Sequence, residues 1–403
     1  MKILVINAGS SSVKFTLFNM DDKTVMAKGV IDRIGLNGTE FNYNNYRGEK
    51  LQKRLLVDNI SEAVEGIITW LTDTTYGVLE NSRQIDAIGH RVVHGGEKLT
   101  QPTIIDKAVK AIIREYFELA PLHNPPNLKG IMACEEHCAG VPQVAVFDTA
   151  FHATIPEYAY LYGLPYQLYN EHKIRKYGFH GISHKYVSQE AARFINRPLE
   201  ELRTISFHLG GGSSITAVDC GKSVDTSMGF TPLEGLIMGT RSGDLDPALV
   251  LYIMEHMKMD VAEINDLLNK RSGLLGLAEI GSSDLRDILS ARDSGNRQAD
   301  IAIKAYCYRI KKYIGAYTAV MGTLDVLLFT GGIGENSPMV RQIVCKDLEA
   351  FDDFGIILDP ELNATGNNRL CEIQSTRSKV KILVVPTNEE KEIASQTMQL
   401  LQS

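Results

Sequence analysis

Residues 5–15 read VINAGSSSVKF. The apolar run from Ile3 to Ile6 before them suits a strand covered on both faces. After the turn, Val13, Phe15 and Leu17 alternate with Lys14 and Thr16, the period of a second strand. Between the two lie an asparagine, a glycine and three serines. Gly and Ser are common turn residues, so a plain hairpin is one reading. The other is a phosphate cradle, in which backbone N–H groups and hydroxyls gather round an anion. The stretch alone leaves both open.

The same pattern returns about two hundred residues later, where residues 204–218 read TISFHLGGGSSITAV. Two strand–turn–strand units in matching order point to a duplicated α/β domain and strengthen the cradle reading. Other apolar runs also stop at polar residues. QVAVFD ends at Asp148, DVLLFTGGIGENS in a glycine loop, and KILVVPTNEE at Asn388, Glu389 and Glu390. Ligands of α/β sheets gather at such carboxyl ends. Helical periodicity is expected over 248–257 and 301–320. Two other nucleotide motifs fail. GKS at 221–223 has Thr216 where a P-loop needs glycine, and GIGENS has Ser337 where a dinucleotide fingerprint needs one.

A chain of 403 residues is too long for one ordinary core, so two domains are expected. The boundaries are 1–150 plus 386–403, and 151–385, with ligands in the cleft between domains. The hydrophobic fraction of 44% and charged fraction of 23% are those of a soluble globular protein. A net charge of −7 argues against a dedicated nucleic-acid binder. No signal-peptide pattern is seen at the N-terminus, and no apolar run approaches the ~18 residues of a membrane helix. A cytoplasmic protein with no nucleic-acid or membrane partner is expected. Glycosylation patterns at Asn37, Asn59 and Asn363 carry no weight without secretion. Cys134, Cys138, Cys220, Cys307, Cys345 and Cys371 are scattered, which suits free thiols. CEEHC sets Cys134, His137 and Cys138 on one helical face, but a structural zinc needs a fourth ligand that is not nearby.

Residues 88–97 read IGHRVVHGGE. A strand over 88–94 would point Arg91 and Val93 to one face. A guanidinium beside an isopropyl group suits a small carboxylate with a short alkyl tail, though a surface arginine next to a core valine would look the same. In LAPLHNPPN, residues 119–127, Pro125 and Pro126 are expected to forbid helix, making a rigid wall that presents Leu122 and His123. GFTPLEGLIMGTRSGDLDP, residues 229–247, carries Arg241, and YGFHGISH sets His180 on a loop.

Eight segments stand in one order: VINAGSSSVKF, HRVVHGGE, APLHNPPN, VFDTAFH, KYGFHGISHKYV, MGFTPLEGLIMGTRSGDLDP, TGGIGENS and PTNEE. Together they resemble the acetate kinase family, from Met1 to the C-terminal helix. The resemblance implies membership of the sugar kinase, Hsp70 and actin superfamily, with duplicated actin-like ATPase (ribonuclease H-like) domains and an interdomain cleft. It implies reversible transfer of the ATP γ-phosphoryl group to acetate, giving acetyl phosphate and ADP. It also implies Mg²⁺ and a homodimer, and leaves open whether Mn²⁺ can replace Mg²⁺. Asn7 and Glu389 would position the metal, and Ser10, Ser12 and Lys14 would lie near the phosphates. His208, Gly210, Gly211 and Gly212 would hold phosphate and adenosine with Gly332, Ile333, Gly334 and Asn336. Asp284, Leu285 and Arg286 would lie near the nucleoside. Arg91 and Arg241 would hold the carboxylate and the transferring group, His180 would donate to phosphoryl oxygens, and Asp148 would orient the site. Val93, Leu122 and Pro232 would close on the methyl group. One departure is visible: the family usually has Gly-Asn-Gly where this chain has three glycines, so no side-chain contact is expected at Gly211.

The chemistry agrees with this resemblance. Phosphoryl transfer needs positioning and charge stabilisation more than covalent chemistry. A carboxylate nucleophile with a pKa near ~4 is already ionised at neutral pH, so Asp148 reads better as an orienter than as a base. Arg91, Arg241, His180 and Mg²⁺ would supply positive charge. The alternatives are a propionate or butyrate kinase of the same family, against which Val93 argues for a small pocket, and an Hsp70- or actin-like nucleotide switch.

Overall fold

The apolar run at the N-terminus forms the first strand of a computed structural model that describes residues 1–36, 38–349 and 355–403. Asn37, of the first glycosylation-like pattern, lies outside the described residues. Contacts group the chain into two units, Met1–Ala150 with Asn388–Ser403, and Phe151–Thr387.

Unit 1 holds β1 (Lys2–Ala8), β2 (Ser12–Asn19), β3 (Thr24–Asp32), β4 (Thr39–Asn45), β5 (Lys50–Leu55), β6 (Ala87–Val92), β7 (Thr103–Ile104) and β8 (Gln143–Phe147). They form one sheet in the order β5-β4-β3-β2-β1-β6-β8-β7. β1 and β2 are antiparallel, with Asn7 opposite Lys14, and the Gly9 N–H closes the serine turn on the Ser12 carbonyl at 2.7 Å. β1, β6 and β8 are parallel. The side chain of Ile88 joins the apolar cluster that includes Ala133 and Cys134 of the helix Asn124–His137. The next residue, Gly89, faces the helix Glu389–Gln402 on the other side. A Cβ there would sit 2.6 Å from Thr397 Oγ1, so only glycine lets that helix lie so close.

Unit 2 holds β9 (Arg203–Leu209), β10 (Ser213–Asp219), β11 (Lys222–Thr226), β12 (Val326–Thr330), β13 (Cys371–Glu372) and β14 (Lys381–Val384), in the order β11-β10-β9-β12-β14-β13. β9 pairs antiparallel with β10, and β9, β12 and β14 are parallel. The Gly210 N–H closes the glycine turn on the Gly212 carbonyl at 3.0 Å, as Gly9 does in unit 1. The strands β3-β2-β1-β6-β8 and β11-β10-β9-β12-β14 therefore repeat one topology. This is the duplicated α/β architecture of actin-like ATPase, ribonuclease H-like domains.

The periodic segments fold as helices. Pro247–Met257 is capped by Asp246, and Arg297–Met321 by Asn296. Tyr306, Ile310, Ile314 and Tyr317 of the longer helix share one core with Phe207 of β9 and Phe329 of β12, as i, i+4 spacing onto one face requires.

Three local expectations are corrected. Pro125 and Pro126 do not forbid helix; they lie in the first turn of Asn124–His137. A first-turn N–H has no intrahelical partner, so its loss there costs little. The strand expected over 88–94 ends at Val92. Beyond it the Val93 and His94 N–H groups go to the side chains of Asn127 and Asn124 instead of to a ladder, both at 3.0 Å. The glycine loop after β12 is a short helix, Gly331–Asn336. The six cysteines are free thiols, and Cys134 and Cys138 are buried, which pushes both thiols up. Among the described residues, no three His, Cys, Asp or Glu side chains cluster to hold a metal, and no helix is long and apolar enough to cross a membrane.

Candidate functional site

In unit 1 the candidate side chains collect where parallel strands end. Arg91 is the penultimate residue of β6, and Asp148 follows β8, its N–H held by the Val92 carbonyl at 3.0 Å. Arg91 Nη2 donates to Asp148 Oδ2 at 2.6 Å, and Arg91 Nε lies 3.3 Å from Glu389 Oε2. Glu389 opens the last helix, capped by Asn388, whose Oδ1 accepts the Lys391 N–H at 2.9 Å. Burial pushes the Glu389 carboxyl up to about 7; Arg91 and Lys14 pull it down, and Asp148 and Glu390 push it further up.

Asn7 stands opposite Lys14 in the β1–β2 ladder, so their side chains share a face. Among the described residues, the side chains of Asn7, Ser10, Ser12 and Lys14 make no hydrogen bond within the protein. Amide and carboxylate oxygens suit Mg²⁺, which binds through one or two protein groups and keeps several waters. Asn7 and Glu389 fit that demand.

The corner is braced by residues that the sequence reading passed over. Asn127 Nδ2 donates to the Ala8 carbonyl at 2.7 Å while its Oδ1 accepts from the Val93 N–H, tying the serine turn to the end of β6. Asn124 pairs with both backbone groups of His94. Both asparagines are buried. Their signal was their spacing of three within APLHNPPN, which puts them on one helical face. Val93 is buried, whereas Leu122 is 68% exposed in the turn before the helix.

In unit 2 the glycine turn is the centre. A Cβ on Gly212 would lie 3.4 Å from Arg241 Nη1 and 3.6 Å from His180 Nε2, so both side chains flank the turn. Arg241 Nη1 donates to the Pro232 carbonyl at 3.2 Å, and no acidic group of the described residues pairs with it. Burial lowers its pKa. His180 is in the left-handed region at φ 56° just before the helix Gly181–Phe194, and its Nδ1 is 2.9 Å from Ser214 Oγ. The His180 and His208 rings stack with centroids 4.1 Å apart. Gly211 is open: a Cβ there would meet nothing within 4 Å.

The remaining residues expected at the nucleotide are arranged less uniformly. Gly332, Ile333, Gly334 and Asn336 belong to the short helix after β12. Gly331 enters it at φ 77°, where a Cβ would press on the Leu209 carbonyl at 2.6 Å. The Glu335 carboxylate accepts from Gly331 N–H at 2.9 Å and Thr387 N–H at 3.1 Å. Arg341, wholly buried, donates to the carbonyls of Gly334 and Glu335 and to Asn363. Both ends of this helix are satisfied by buried side chains, which is why it is not a loop. Asp284 caps the helix Leu285–Asp293, and the exposed Arg286 folds back on it, holding the Asp284 carboxyl down at about 2. The Leu285 side chain is in the core, leaving only its backbone for a ligand.

A model of the acetokinase family matches residues 2–395. An acetate kinase of Caldicellulosiruptor bescii is 52% identical over 402 residues, covering 100% of both chains. The crystal structure of Porphyromonas gingivalis acetate kinase superposes with a TM-score of 0.94 at 46% identity, over 99% of each chain. That of a propionate kinase from Francisella tularensis gives 0.91 at 40% identity, again over 99% of each.

Proposed function

We propose, starting from the chain's membership of the acetokinase family, that it is an acetate kinase: a cytoplasmic phosphotransferase that moves the γ-phosphoryl group of ATP reversibly to the carboxylate of acetate. One observation carries the reading for this chain. Arg91 is fixed by a buried carboxylate at the end of a parallel strand, beside a buried valine and an oxygen-rich corner. Arg91 binds the acetate carboxylate, and Val93 closes on the methyl group, with the exposed Leu122 as an outer contact. Asp148 holds the Arg91 guanidinium in one plane. The acetate oxygen is the nucleophile and needs no base.

Unit 2 supplies the nucleotide side. The glycine turn and the short helix after β12 approach phosphates and adenosine through their backbones, helped by Asp284 and Arg286. Arg241 and His180 donate to oxygens that gain charge as the phosphoryl group moves. Arg241, with no acidic partner among the described residues, is electrostatically ready for an anion. Asn7 and Glu389 would hold Mg²⁺, with Ser10, Ser12 and Lys14 near the phosphates. The metal neutralises phosphate charge when bound. The transfer is direct and in line.

A homodimer is part of the proposal. The helix Pro247–Met257 reads PALVLYIMEHM and has no buried residue; Leu251 is 69% and Met257 63% exposed. An apolar helix left in water suits a second copy of the chain, and light scattering after gel filtration reads its mass.

Incubation with ATP, Mg²⁺, a short-chain acid and hydroxylamine tests the function. Acyl hydroxamate should form with acetate at a higher kcat/KM than with propionate or butyrate. Preference for a longer acid would make it a propionate or butyrate kinase. ATP hydrolysis with no hydroxamate from any acid would make it a nucleotide switch.

A further inference from the structure

Behind His180 lies a chain of buried side chains that the reaction as written does not use. Ser214 Oγ stands between two imidazoles, 2.9 Å from His180 Nδ1 and 2.7 Å from His184 Nε2. His184 Nδ1 is in turn 2.9 Å from Ser206 Oγ. Ser206, His184 and Ser214 are all 0% exposed. Each serine has a single O–H to give, and a buried O–H needs an acceptor, so with every donor satisfied the protons along the row all point the same way.

The direction follows from the far end. Among the described residues Ser206 Oγ has His184 Nδ1 as its only hydrogen-bond partner. If His184 Nδ1 carried the proton, the Ser206 O–H would have no acceptor in a fully buried site, which is costly. If Ser206 donates, each donor in the row is satisfied. Ser206 O–H goes to His184 Nδ1, His184 Nε2–H to Ser214 Oγ, and Ser214 O–H to His180 Nδ1. A doubly protonated His184 is also disfavoured. Burial pushes its pKa well below the usual histidine range, and the rings of His152 and His208 lie 5.9 and 6.4 Å away.

We infer that Ser206, His184 and Ser214 are positioning residues that lock His180 in the tautomer with its proton on Nε2. The nitrogen flanking the glycine turn is then a neutral hydrogen-bond donor by construction. The stack of His180 on His208 fits, because two rings 4.1 Å apart resist carrying two charges. This deepens the proposed reaction and rests on His180 facing the phosphoryl group. A donor already oriented before charge develops needs no proton rearrangement during transfer. His184 and the two serines touch neither substrate; they act through His180.

The test separates the tautomer from the activity. Protein labelled with ¹⁵N-histidine reports the protonation of each ring nitrogen by long-range ¹H–¹⁵N spectra, and His180→Gln assigns the His180 signals by their loss. At neutral pH the wild type should show a protonated Nε2 and an unprotonated Nδ1 for His180. Ser206→Ala and Ser214→Ala should turn that pattern into a mixture of tautomers. Their kcat should fall by roughly 10-fold or more, short of the roughly 100-fold typical of deleting a donor, with KM for ATP and acetate unmoved. Ser206→Thr, which keeps the hydroxyl, should restore both readouts. A protonated Nδ1 or an imidazolium at His180 in the wild type overturns the inference without need of any variant. An unchanged His180 pattern in well-folded Ser206→Ala and Ser214→Ala overturns it too. Absence of acyl hydroxamate alongside the expected spectrum would instead sink the acetate kinase reading and leave the tautomer lock standing.

Discussion

The Arg91 guanidinium donates to the Asp148 carboxylate at 2.6 Å, and Asp148 is 1% exposed while Arg91 is 18% exposed. The acid is sealed behind the base it holds. Such a pair contributes little net stability, since desolvation offsets the attraction. What it does give is direction, because an acceptor behind the guanidinium limits where its other N–H groups can point.

The first prediction separates an orienting Asp148 from a proton-accepting one. Asp148→Asn keeps one oxygen to accept from Arg91 and should retain measurable turnover. Asp148→Ala leaves the guanidinium unanchored and should lower kcat by roughly 10², the scale of a small misplacement at a reacting centre. Equal, complete loss in both variants, with folding intact by circular dichroism, would make Asp148 a base.

Glu389 gives a prediction whose sign depends on metal. Its folded-state pKa is raised to about 7, from an ordinary value of 4.5. A group raised in this way contributes stability below its unfolded pKa and loses it as pH rises through the folded value. At pH 8 without metal, Glu389→Gln should therefore be more stable than wild type, by up to about 3 kcal/mol, and at pH 4 the difference should vanish. With Mg²⁺ the variant should need at least ~10-fold more metal for half-maximal rate, as expected when a charged ligand is lost. Melting curves at both pH values and a metal titration read these outcomes. A wild-type metal dependence would take Glu389 out of the metal site.

Val93 is only 4% exposed. Val93→Ala removes two methyl groups at the end of β6, so the ratio of kcat/KM for propionate over acetate should rise, by about 1–3 kcal/mol in relative transition-state binding. An unchanged ratio takes Val93 out of the pocket wall.

Gly211 offers a gain rather than a loss. A Cβ there meets nothing within 4 Å, and the backbone needs no positive φ. Gly211→Asn should therefore fold normally and add one side-chain donor beside the glycine turn. One extra hydrogen bond is worth about 1 kcal/mol, or a KM for ATP lower by roughly 5-fold. A KM that is unchanged or higher would place the phosphates away from the turn.

What could be read from the sequence was local. The paired hairpins showed in alternation and in their glycine and serine turns, both properties of neighbouring residues. Arg91 and Asp148 stood out as polar residues at the ends of apolar runs. The braces did not, because their partners are far along the chain: Asn127 reaches back 119 residues to Ala8, and Ser214 reaches back 30 to His184. Arg341 reads as a surface arginine until Gly334, Glu335 and Asn363 close round it. Pro125 and Pro126 depart from the expectation for a different reason. A proline breaks a helix or starts one according to its place in the first turn, and that place is set by where Asn124 and Asn127 are anchored.

The last prediction concerns the route of the phosphoryl group. Direct transfer puts negative charge on the phosphoryl oxygens and needs fixed donors there. A covalent route needs a phosphorylated side chain, and Glu389 and Asp148 are the carboxylates at hand. Asp148 is engaged with Arg91 and buried, and Glu389 is the carboxylate proposed for Mg²⁺, so neither is a ready nucleophile. The acetate carboxylate is ionised already, and Arg91 is the group proposed to hold it. Arg91→Ala and Arg241→Ala should each lower kcat by roughly 10² or more, the cost of one oxyanion-type donor. ADP, Mg²⁺, acetate and aluminium fluoride should form a tight inactive complex that weakens in both variants and in His180→Ala. ATP made chiral at the γ-phosphorus decides the route: one turnover by direct transfer inverts the configuration. Net retention would require two transfers, and Glu389→Gln and Asp148→Asn would then show which carboxylate carries the phosphoryl group between them.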